Sequence, residues 1–248
     1  MNIVVCINHV PDTEAKIKVA GDGKSINKTG VTWMLGPFDE FAVEEGLRLR
    51  EKSGGQVTAI SLGGDAHKET LRKALAMGVD KAILLKDESV RDSFAVAHAI
   101  AEAAKSLSPE IILFGKQSID YYNEQVPGIV GELLGWPSVS VVVKMEIADG
   151  KVVCEREIEG GHEVIETTLP VVVSAQKGLN EPRYPSLKGI MAAKAKPIEE
   201  RVPSPVPNRV EVIGMNKPAP KPPGRIVGTD VSAVPELARL LHEEAKVI

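Results

Sequence analysis

Short apolar runs alternate with amphipathic segments along the first half of the chain. The apolar runs predict buried strands at residues 3–7, 57–62, 82–85 and 111–114. Between these runs, apolar residues recur at helical spacing and predict helices over residues 40–52, 67–77 and 93–105. Strands that alternate with helices are joined by crossover connections, which place them in a mostly parallel sheet covered on both faces. The pattern therefore predicts an α/β fold with a doubly wound sheet.

The pattern changes near Ser138, where strand-like segments follow one another without helices. These segments lie at residues 139–147, 151–158 and 163–168. They are joined by the pairs Asp149-Gly150 and Gly160-Gly161, which are typical of tight hairpin turns. We therefore expect an antiparallel extension of the parallel sheet, with a strand at residues 171–175 returning to the core.

Composition changes again after Glu200. Prolines recur between positions 201 and 225 and prevent regular structure over most of that segment, which predicts an extended arm. We expect a nucleotide-binding α/β domain over residues 1–200 and the arm over residues 201–248. A final helix is predicted over residues 232–246, with Asp230 or Ser232 as its N-cap. A short amphipathic helix on such a tether has no core of its own, so it either packs on another chain or frays as a flexible tail.

Composition and charge narrow the class of protein. The chain has 248 residues, of which 43% are hydrophobic, enough for one large domain or a domain with an appendage. A net charge of -4 provides no electrostatic argument for nucleic acid binding. The two cysteines, Cys6 and Cys154, lie far apart in strand-like runs, which favours a reducing compartment over a disulfide framework. The N-terminal run shows no signal-peptide pattern, so a bacterial cytoplasm is expected, or a mitochondrial matrix if the source is eukaryotic.

Three loops are expected at the carboxyl edge of the sheet, where doubly wound folds bind their ligands. They lie at residues 7–12, 61–65 and 115–120. In the second loop, Gly63 and Gly64 allow close backbone approach, and the next helix would offer free N–H groups to an anion. No Walker motif and no Gly-x-Gly-x-x-Gly fingerprint accompanies them, so an ordinary tight turn is the alternative. The third loop places Lys116, Gln117 and Asp120 where a strand ends, shortly before a helix that starts near Asn123. Together the loops predict a nucleotide site without catalytic chemistry.

A rigid polar turn follows the strand at residues 171–175. It reads Asn180-Glu181-Pro182-Arg183-Tyr184-Pro185-Ser186-Leu187, and a Lys/Ala-rich segment of helical character comes next. Pro182 and Pro185 fix the backbone, so the turn loses little entropy when something binds it. Leu187 would then be presented on a pre-shaped element, which favours a docking surface. An ordinary strand-to-helix connection remains the alternative.

This turn resembles the signature of the electron transfer flavoprotein β subunit. Three further stretches agree with that family in order and composition, at residues 36–45, 74–80 and 115–120. The similarity extends from the N-terminus to about Ile198 and is looser beyond. The resemblance implies an adenine nucleotide α-hydrolase-like fold. It implies that the chain pairs with an α subunit and that the C-terminal arm extends onto that subunit. It also implies an electron carrier without catalytic residues of its own.

The resemblance implies partners and cofactors as well. Electrons would pass from flavin dehydrogenases, such as acyl-CoA dehydrogenases of fatty acid oxidation, through an FAD held mostly by the α subunit. They would then reach a membrane-bound flavoprotein–quinone oxidoreductase. Phe38 matches an aromatic residue that approaches this FAD in the family, although its spacing alone favours a core position. The implied docking residues are Tyr184, Leu187, Ile190 and Met191. The candidate cofactor-binding residues are Asn8, His9, Phe38, Ser61, Gly63, Gly64, Gly115, Gln117, Asp120, Asn123, Glu124, Gln125 and Val126.

The pocket nucleotide distinguishes two branches of the family. Ordinary members hold AMP, whereas electron-bifurcating members hold a second FAD, oxidise NADH and resemble the pattern Ile-Asp-Gly-Asp-Thr-Ala-Gln-Val-Gly. Here Tyr121-Tyr122-Asn123 replaces the Gly-Asp-Thr of that pattern, which favours AMP. The following residues also depart from the Asn-Gln-Thr typical of AMP binders, so a bifurcating subunit remains the alternative. A stand-alone nucleotide-binding enzyme or sensor is the alternative of another class.

Overall fold

The computed structural model describes residues 1–221 and 223–248. Its strands are β1 (Asn2–Cys6), β2 (His9–Pro11), β3 (Trp33–Leu35), β4 (Gln56–Gly63), β5 (Lys81–Lys86), β6 (Ile111–Gly115), β7 (Ser138–Ala148), β8 (Lys151–Ile158), β9 (Gly161–Thr168), β10 (Val171–Ala175) and β11 (Ile198–Arg201). Its helices are α1 (Pro37–Ser53), α2 (His67–Met77), α3 (Ser93–Lys105), α4 (Gln125–Leu134), α5 (Leu187–Ala195) and α6 (Val234–Glu243). The predicted α/β class is confirmed.

The central sheet is doubly wound. Its strand order is β11-β5-β4-β1-β6-β10-β7-β8-β9, and β1 pairs in parallel with both β4 and β6. The chain builds outward from β1 through β4 and β5, then crosses back to place β6 on the other side of β1. The carboxyl ends of β1 and β6 therefore form the topological switch point, where ligands of such folds bind. We call this region the switch edge and define it by Cys6–His9 and Phe114–Lys116.

Alternate side chains of the central strands pack into two core layers because successive strand residues point to opposite faces. Ile3 and Val5 of β1 face one layer, which includes side chains of α1 and α2. Val4 and Cys6 face the other, which includes side chains of α3 and α4. Burial on both faces explains why these strands read as continuous apolar runs in the sequence.

The predicted antiparallel extension is present. β8 pairs antiparallel with both β7 and β9, while β10 returns to lie parallel to β6. The turn between β7 and β8 places Asp149 and Gly150 at φ values of 50° and 76°. Both residues tolerate this left-handed region, which a two-residue hairpin turn requires.

The C-terminal segment begins with an unforeseen strand. β11 pairs in parallel with β5, so Ile198–Arg201 extends the sheet across the position where the arm was predicted to begin. Beyond it, Asp92 accepts hydrogen bonds from the backbone N–H groups of Arg209 and Val210, which holds the first part of the arm against the start of α3.

The last helix is shorter than predicted. A 3₁₀ turn at Val231–Ala233 precedes α6, and the Asp230 side chain caps that turn by accepting from the Ser232 N–H, whereas α6 itself begins after Ala233 without a side-chain cap. None of the residues of α6 is buried. Within the described parts of the chain, none of the helices combines the length and the apolar character needed to cross a bilayer.

Candidate functional site

Two of the three predicted loops are joined at the switch edge by Asp39, in the first turn of α1. One carboxylate oxygen accepts from the Asn8 N–H at 2.8 Å, and the other accepts from the Gly115 N–H at 3.2 Å. Asn8 belongs to the loop after β1, and Gly115 ends β6. A single side chain therefore bonds the backbone on both sides of the switch point. The sequence predicted Asn8 and Gly115 at this site but did not predict Asp39 there.

Asp39 is buried, with an exposed fraction of 2%. Burial raises the pKa of its carboxyl group to about 7, and the two backbone N–H bonds only partly offset that effect. A Cβ atom at Gly115 would lie 2.5 Å from the Asp39 carboxylate and 2.7 Å from its backbone nitrogen. A Cβ atom at Gly36 would also overlap the carboxylate. These two glycines provide the room that the buried acid occupies.

Phe38 lies at the same edge. The Lys116 ammonium sits 5.2 Å from the centroid of the Phe38 ring, a cation–π distance. Lys116 also lies 4.0 Å from the Glu124 carboxylate, and its backbone N–H donates to the Ala175 carbonyl at the end of β10. Phe38 is only partly buried, so its ring remains available at this edge.

The loop that leads from β6 to α4 is exposed and sharply turned. Tyr122 and Glu124 both adopt a φ of 53°, on either side of Asn123. The Asn123 side-chain amide donates to the Ser93 hydroxyl at 2.7 Å, which ties this loop to the start of α3. α4 then begins at Gln125 without a side-chain cap. Apart from Pro127, which has no N–H, the first residues of α4 carry backbone N–H groups without an intrahelical acceptor.

The loop after β4 is filled by side chains of the chain itself. The His67 ring lies against Gly63, where a Cβ atom would overlap it, and its Nδ1 is 3.0 Å from the Ser61 hydroxyl. A Cβ atom at Gly64 would lie 2.6 Å from the Glu88 carboxylate. The two glycines of the predicted anion site are therefore lined by an imidazole and an acid.

His9 belongs with this second loop. Its ring stacks on Trp33 at a centroid distance of 5.0 Å, and its Nδ1 lies 2.7 Å from the Thr70 hydroxyl. The His67 ring centroid is 5.1 Å away. Burial lowers the pKa of His9, and burial together with the neighbouring His9 lowers the pKa of His67 to about 4. Both rings are therefore neutral at pH 7.

The predicted site residues thus fall into two groups. Asn8, Phe38 and Gly115 meet at the switch edge around Asp39, whereas His9, Ser61 and Gly63 form a packed cluster with His67. The arrangement offers polar groups and backbone donors to a ligand. Among residues 1–221 and 223–248, no group of three or more His, Cys, Asp or Glu side chains has the geometry to hold a metal ion.

The turn that begins at Asn180 is latched onto α1. The Arg183 guanidinium donates two hydrogen bonds to Glu44, at 2.8 and 2.9 Å, and two to Glu51, at 2.6 and 3.1 Å. The Asn180 amide donates to the Phe41 carbonyl and to Glu45. The hydrogen bonds that Arg183 donates lower the pKa of Glu51, and the same bonds to Glu44 and Glu51 raise the pKa of Arg183. Glu44 and Glu51 are seven residues apart, two helical turns, so they share one face of α1.

The helix after this turn packs on α2 through its small residues. Ser186 caps it by accepting from the Gly189 N–H at 3.0 Å, and Gly189 lies so close to the Ala76 carbonyl that a Cβ atom would overlap it. Arg72 donates to the Ala193 carbonyl at 2.6 Å. The large apolar side chains face outward as a result. We call them the docking patch: Tyr184, Leu187, Ile190 and Met191, with exposed fractions of 94%, 79%, 42% and 62%.

Comparison with known proteins agrees with this arrangement. A family model described as "Electron transfer flavoprotein domain" matches residues 24–206. The chain is 40% identical over 238 residues to the electron transfer flavoprotein subunit beta of Syntrophomonas wolfei, covering 96% of this chain and 92% of that protein.

Two further relatives span almost the whole length. The subunit beta of Bacillus subtilis is 39% identical over 259 residues, covering all of both chains. That of Dictyostelium discoideum is 35% identical over 250 residues, covering all of this chain and 99% of the relative. The chain therefore belongs to the electron transfer flavoprotein family, as a member of its β-subunit group.

Proposed function

We propose that this chain pairs with an electron transfer flavoprotein α subunit and carries electrons from flavin dehydrogenases, such as acyl-CoA dehydrogenases, through FAD to a membrane-bound quinone oxidoreductase. The observation that carries the proposal is the docking patch. Its apolar side chains are exposed, yet the turn that presents them is latched by four Arg183 hydrogen bonds. Rigid exposed anchors of this kind lose little entropy on binding and are typical of protein-binding surfaces.

The chain's part in electron transfer is to shape the site. FAD would be held mostly by the α subunit, with Phe38 forming a wall on the β side. The switch edge supplies hydrogen-bond partners, and the described residues there offer no nucleophile paired with a base. We therefore propose a carrier subunit without catalytic residues. We place it in a bacterial cytoplasm or, in a eukaryote, the mitochondrial matrix.

For the switch edge we propose AMP as the bound nucleotide. The polar side chains of the loop after β6 and the uncapped start of α4 lie at the carboxyl edge of the sheet, where the N–H groups of Asn8 and Gly115 are already bonded to Asp39. The loop after β4 is filled by His67, and Glu88 adds negative charge beside Gly64. This arrangement favours a ligand with one phosphate over the longer pyrophosphate of a second FAD. A bifurcating subunit with a second FAD remains the alternative.

The C-terminal arm is proposed to pack on the α subunit. α6 has an amphipathic sequence, and none of its residues is buried against this chain. A ten-residue helix is marginal in water unless an apolar face is covered. This feature also argues against a stand-alone enzyme or sensor, which would be expected to fold its own helices against its own core.

The bound nucleotides provide the direct test. The chain is co-expressed with its α subunit, the purified complex is denatured, and the released nucleotides are separated by chromatography. We expect equal amounts of FAD and AMP, one of each per heterodimer. Two FAD without AMP would overturn the AMP assignment in favour of bifurcation, and the absence of both would contradict the proposed function.

Leu187→Ala is expected to slow electron transfer from the dehydrogenase while leaving bound FAD unchanged. A central apolar anchor accounts for about 2 kcal/mol of partner binding, so the KM for the complex should rise about 30-fold. The measurement is steady-state reduction of the complex by the dehydrogenase, with FAD absorbance as the check on loading. Val90→Ala is the matched control, because Val90 is equally exposed, at 78%, but lies outside the docking patch. Equal kinetics in both variants would remove Leu187 from the docking role.

A further inference from the structure

The buried carboxyl group of Asp39 has no role in the function proposed above. It lies at the switch edge, it is 2% exposed, and its hydrogen bonds go to the backbone of two different loops. Burying a carboxylate costs free energy unless hydrogen bonds replace those that it makes with water. An asparagine of the same size would replace one of the two acceptor oxygens by an NH₂ group, a donor that would face one of the two N–H groups.

We infer that Asp39 is a positioning residue of the nucleotide site, holding the loop after β1 and the loop after β6 at a fixed separation through its two carboxylate oxygens. The inference rests on the proposed nucleotide site. It assigns to that site a buried residue that bonds the backbone of two of the loops that form it. Asp39 acts through Asn8 and Gly115, the residues on either side of the switch point.

The packing around the Asp39 carboxyl group confines it to one position. The carboxylate occupies the space that Cβ atoms would need at both Gly36 and Gly115. At Gly36 the close atoms all belong to the Asp39 side chain, whereas at Gly115 backbone atoms of α1 are also involved. The carboxyl group is therefore confined between the two glycines, and the backbone of β6 approaches α1 only because residue 115 has no side chain.

The charges around Asp39 add a functional consequence. Asp120 in the loop after β6 and Glu40 in α1 are both acidic, and Cys6 of β1 is buried with a pKa raised by burial and by Asp39 itself. The nearby cation, Lys116, lies over the Phe38 ring. Burial, with a smaller contribution from the charges of Asp120 and Glu40, raises the pKa of Asp39 to about 7.

Nucleotide binding should therefore be linked to protonation of Asp39. A phosphate anion at the switch edge repels the ionised carboxylate, so it binds more tightly when Asp39 is protonated, a form whose oxygens keep acceptor capacity for the two backbone N–H groups. If the anion raises the pKa by about one unit, its affinity changes about tenfold across the titration. The affinity for the nucleotide is therefore higher at pH 6 and falls as the pH rises through 7 towards 8.

The test uses the heterodimer and AMP. Nucleotide-free complex is titrated calorimetrically with AMP at pH 6, 7 and 8, for the wild type, Asp39→Asn and Glu40→Gln. We expect the wild-type Kd to rise about fivefold from pH 6 to 8, most of the tenfold range of the full titration, beyond any change seen in Asp39→Asn. Ionisation of AMP itself affects all three proteins equally and cancels in the comparison. Glu40→Gln removes one of the acids that raise the pKa of Asp39 without touching either loop, so it should keep the pH dependence and shift its midpoint to lower pH.

Two outcomes overturn the inference. One is an Asp39→Asn profile that matches the wild type, which would mean that another group is linked to binding. The other is unchanged amide hydrogen exchange in Asp39→Asn, because loss of the clamp should speed exchange in the peptides that contain Asn8 and Gly115. If wild-type complex binds no adenine nucleotide, the nucleotide proposal fails, and hydrogen exchange alone decides the role of Asp39.

A double-mutant cycle provides the check if Asp39→Asn does not fold. Gly36→Ala should destabilise the wild type, because its Cβ atom overlaps the carboxylate. The same change should have little effect in an Asp39→Ala background, where that space is empty. Additive effects of the two substitutions would contradict the confined position of the carboxyl group.

Discussion

Arg183→Ala is expected to lower the free energy of unfolding by about 2–3 kcal/mol and to disorder the turn that carries the docking patch. The substitution removes four side-chain hydrogen bonds and leaves Glu44, which is 5% exposed, buried without its cation. An unpaired buried charge is what makes breaking such a pair costly. The expected value lies at the low end of the range for buried pairs because the Arg183 side chain is itself 35% exposed. Thermal unfolding of the purified complex measures the change.

The chain offers a matched control for Arg183. Arg239 in α6 also bonds two acids, Glu236 and Glu243, but all three side chains are about half exposed. Arg239→Ala should leave stability unchanged, since exposed ion pairs are screened by water and Arg239 lies on the polar face of α6, not on the apolar face proposed to meet the α subunit. Arg183→Ala should additionally raise the KM for the dehydrogenase, because Leu187 loses its fixed position, while FAD content stays the same. Equal stability of the two variants would show that the latch does not hold the turn.

Gly115→Ala is expected to destabilise the protein by about 3 kcal/mol and to empty the nucleotide site. The new Cβ atom would lie 2.5 Å from the Asp39 carboxylate and 2.7 Å from backbone atoms of Phe38 and Asp39. Overpacking against backbone cannot be relieved by a change of rotamer, so α1 must shift away from β6. Because α1 also carries Phe38 and the partners of Arg183, the shift should disturb both ends of the helix.

The control is Gly161→Ala in β9. Gly161 is exposed, lies far along the chain from the switch edge, and a Cβ atom there would have no neighbour within 4 Å. Alanine loses less backbone entropy in a strand than glycine, so this variant should be as stable as the wild type or more stable by up to about 1 kcal/mol. Thermal unfolding and the nucleotide content of the purified complex are measured for both variants. Wild-type stability and full nucleotide content in Gly115→Ala would show that α1 can move at no cost.

Most of the strands and helices were predictable because their signal is local. The central strands are apolar runs since both faces are buried, and Asp149-Gly150 specifies its hairpin by turn chemistry alone. β11 was missed because Ile198–Arg201 holds one apolar residue, and its pairing with β5 uses backbone groups that every sequence has. β2 and β3 were missed for a related reason: three residues are too few to show a period.

The candidate site was predictable only in outline. The rule that parallel sheets bind ligands at their carboxyl ends located the loops, but it could not tell which loops remain open. His67 fills the loop after β4, and His9 turns toward Trp33 and Thr70, so these predicted residues lie in a packed cluster. Their packing partners are distant in the chain, and nothing in the local pattern around His9 indicates them.

The sequence by itself determined the α/β class, the antiparallel extension, the family and the exposed docking turn. Each of these depends on periodicity, turn chemistry or an ordered set of motifs, all of which can be read along the chain. Only the tertiary structure decided that Asp39 joins two loops and that Arg183 reaches Glu44, 139 positions away. The physical reason is that the role of a buried charge depends on the hydrogen-bond donors around it. Those donors come from distant parts of the chain, which only folding brings together.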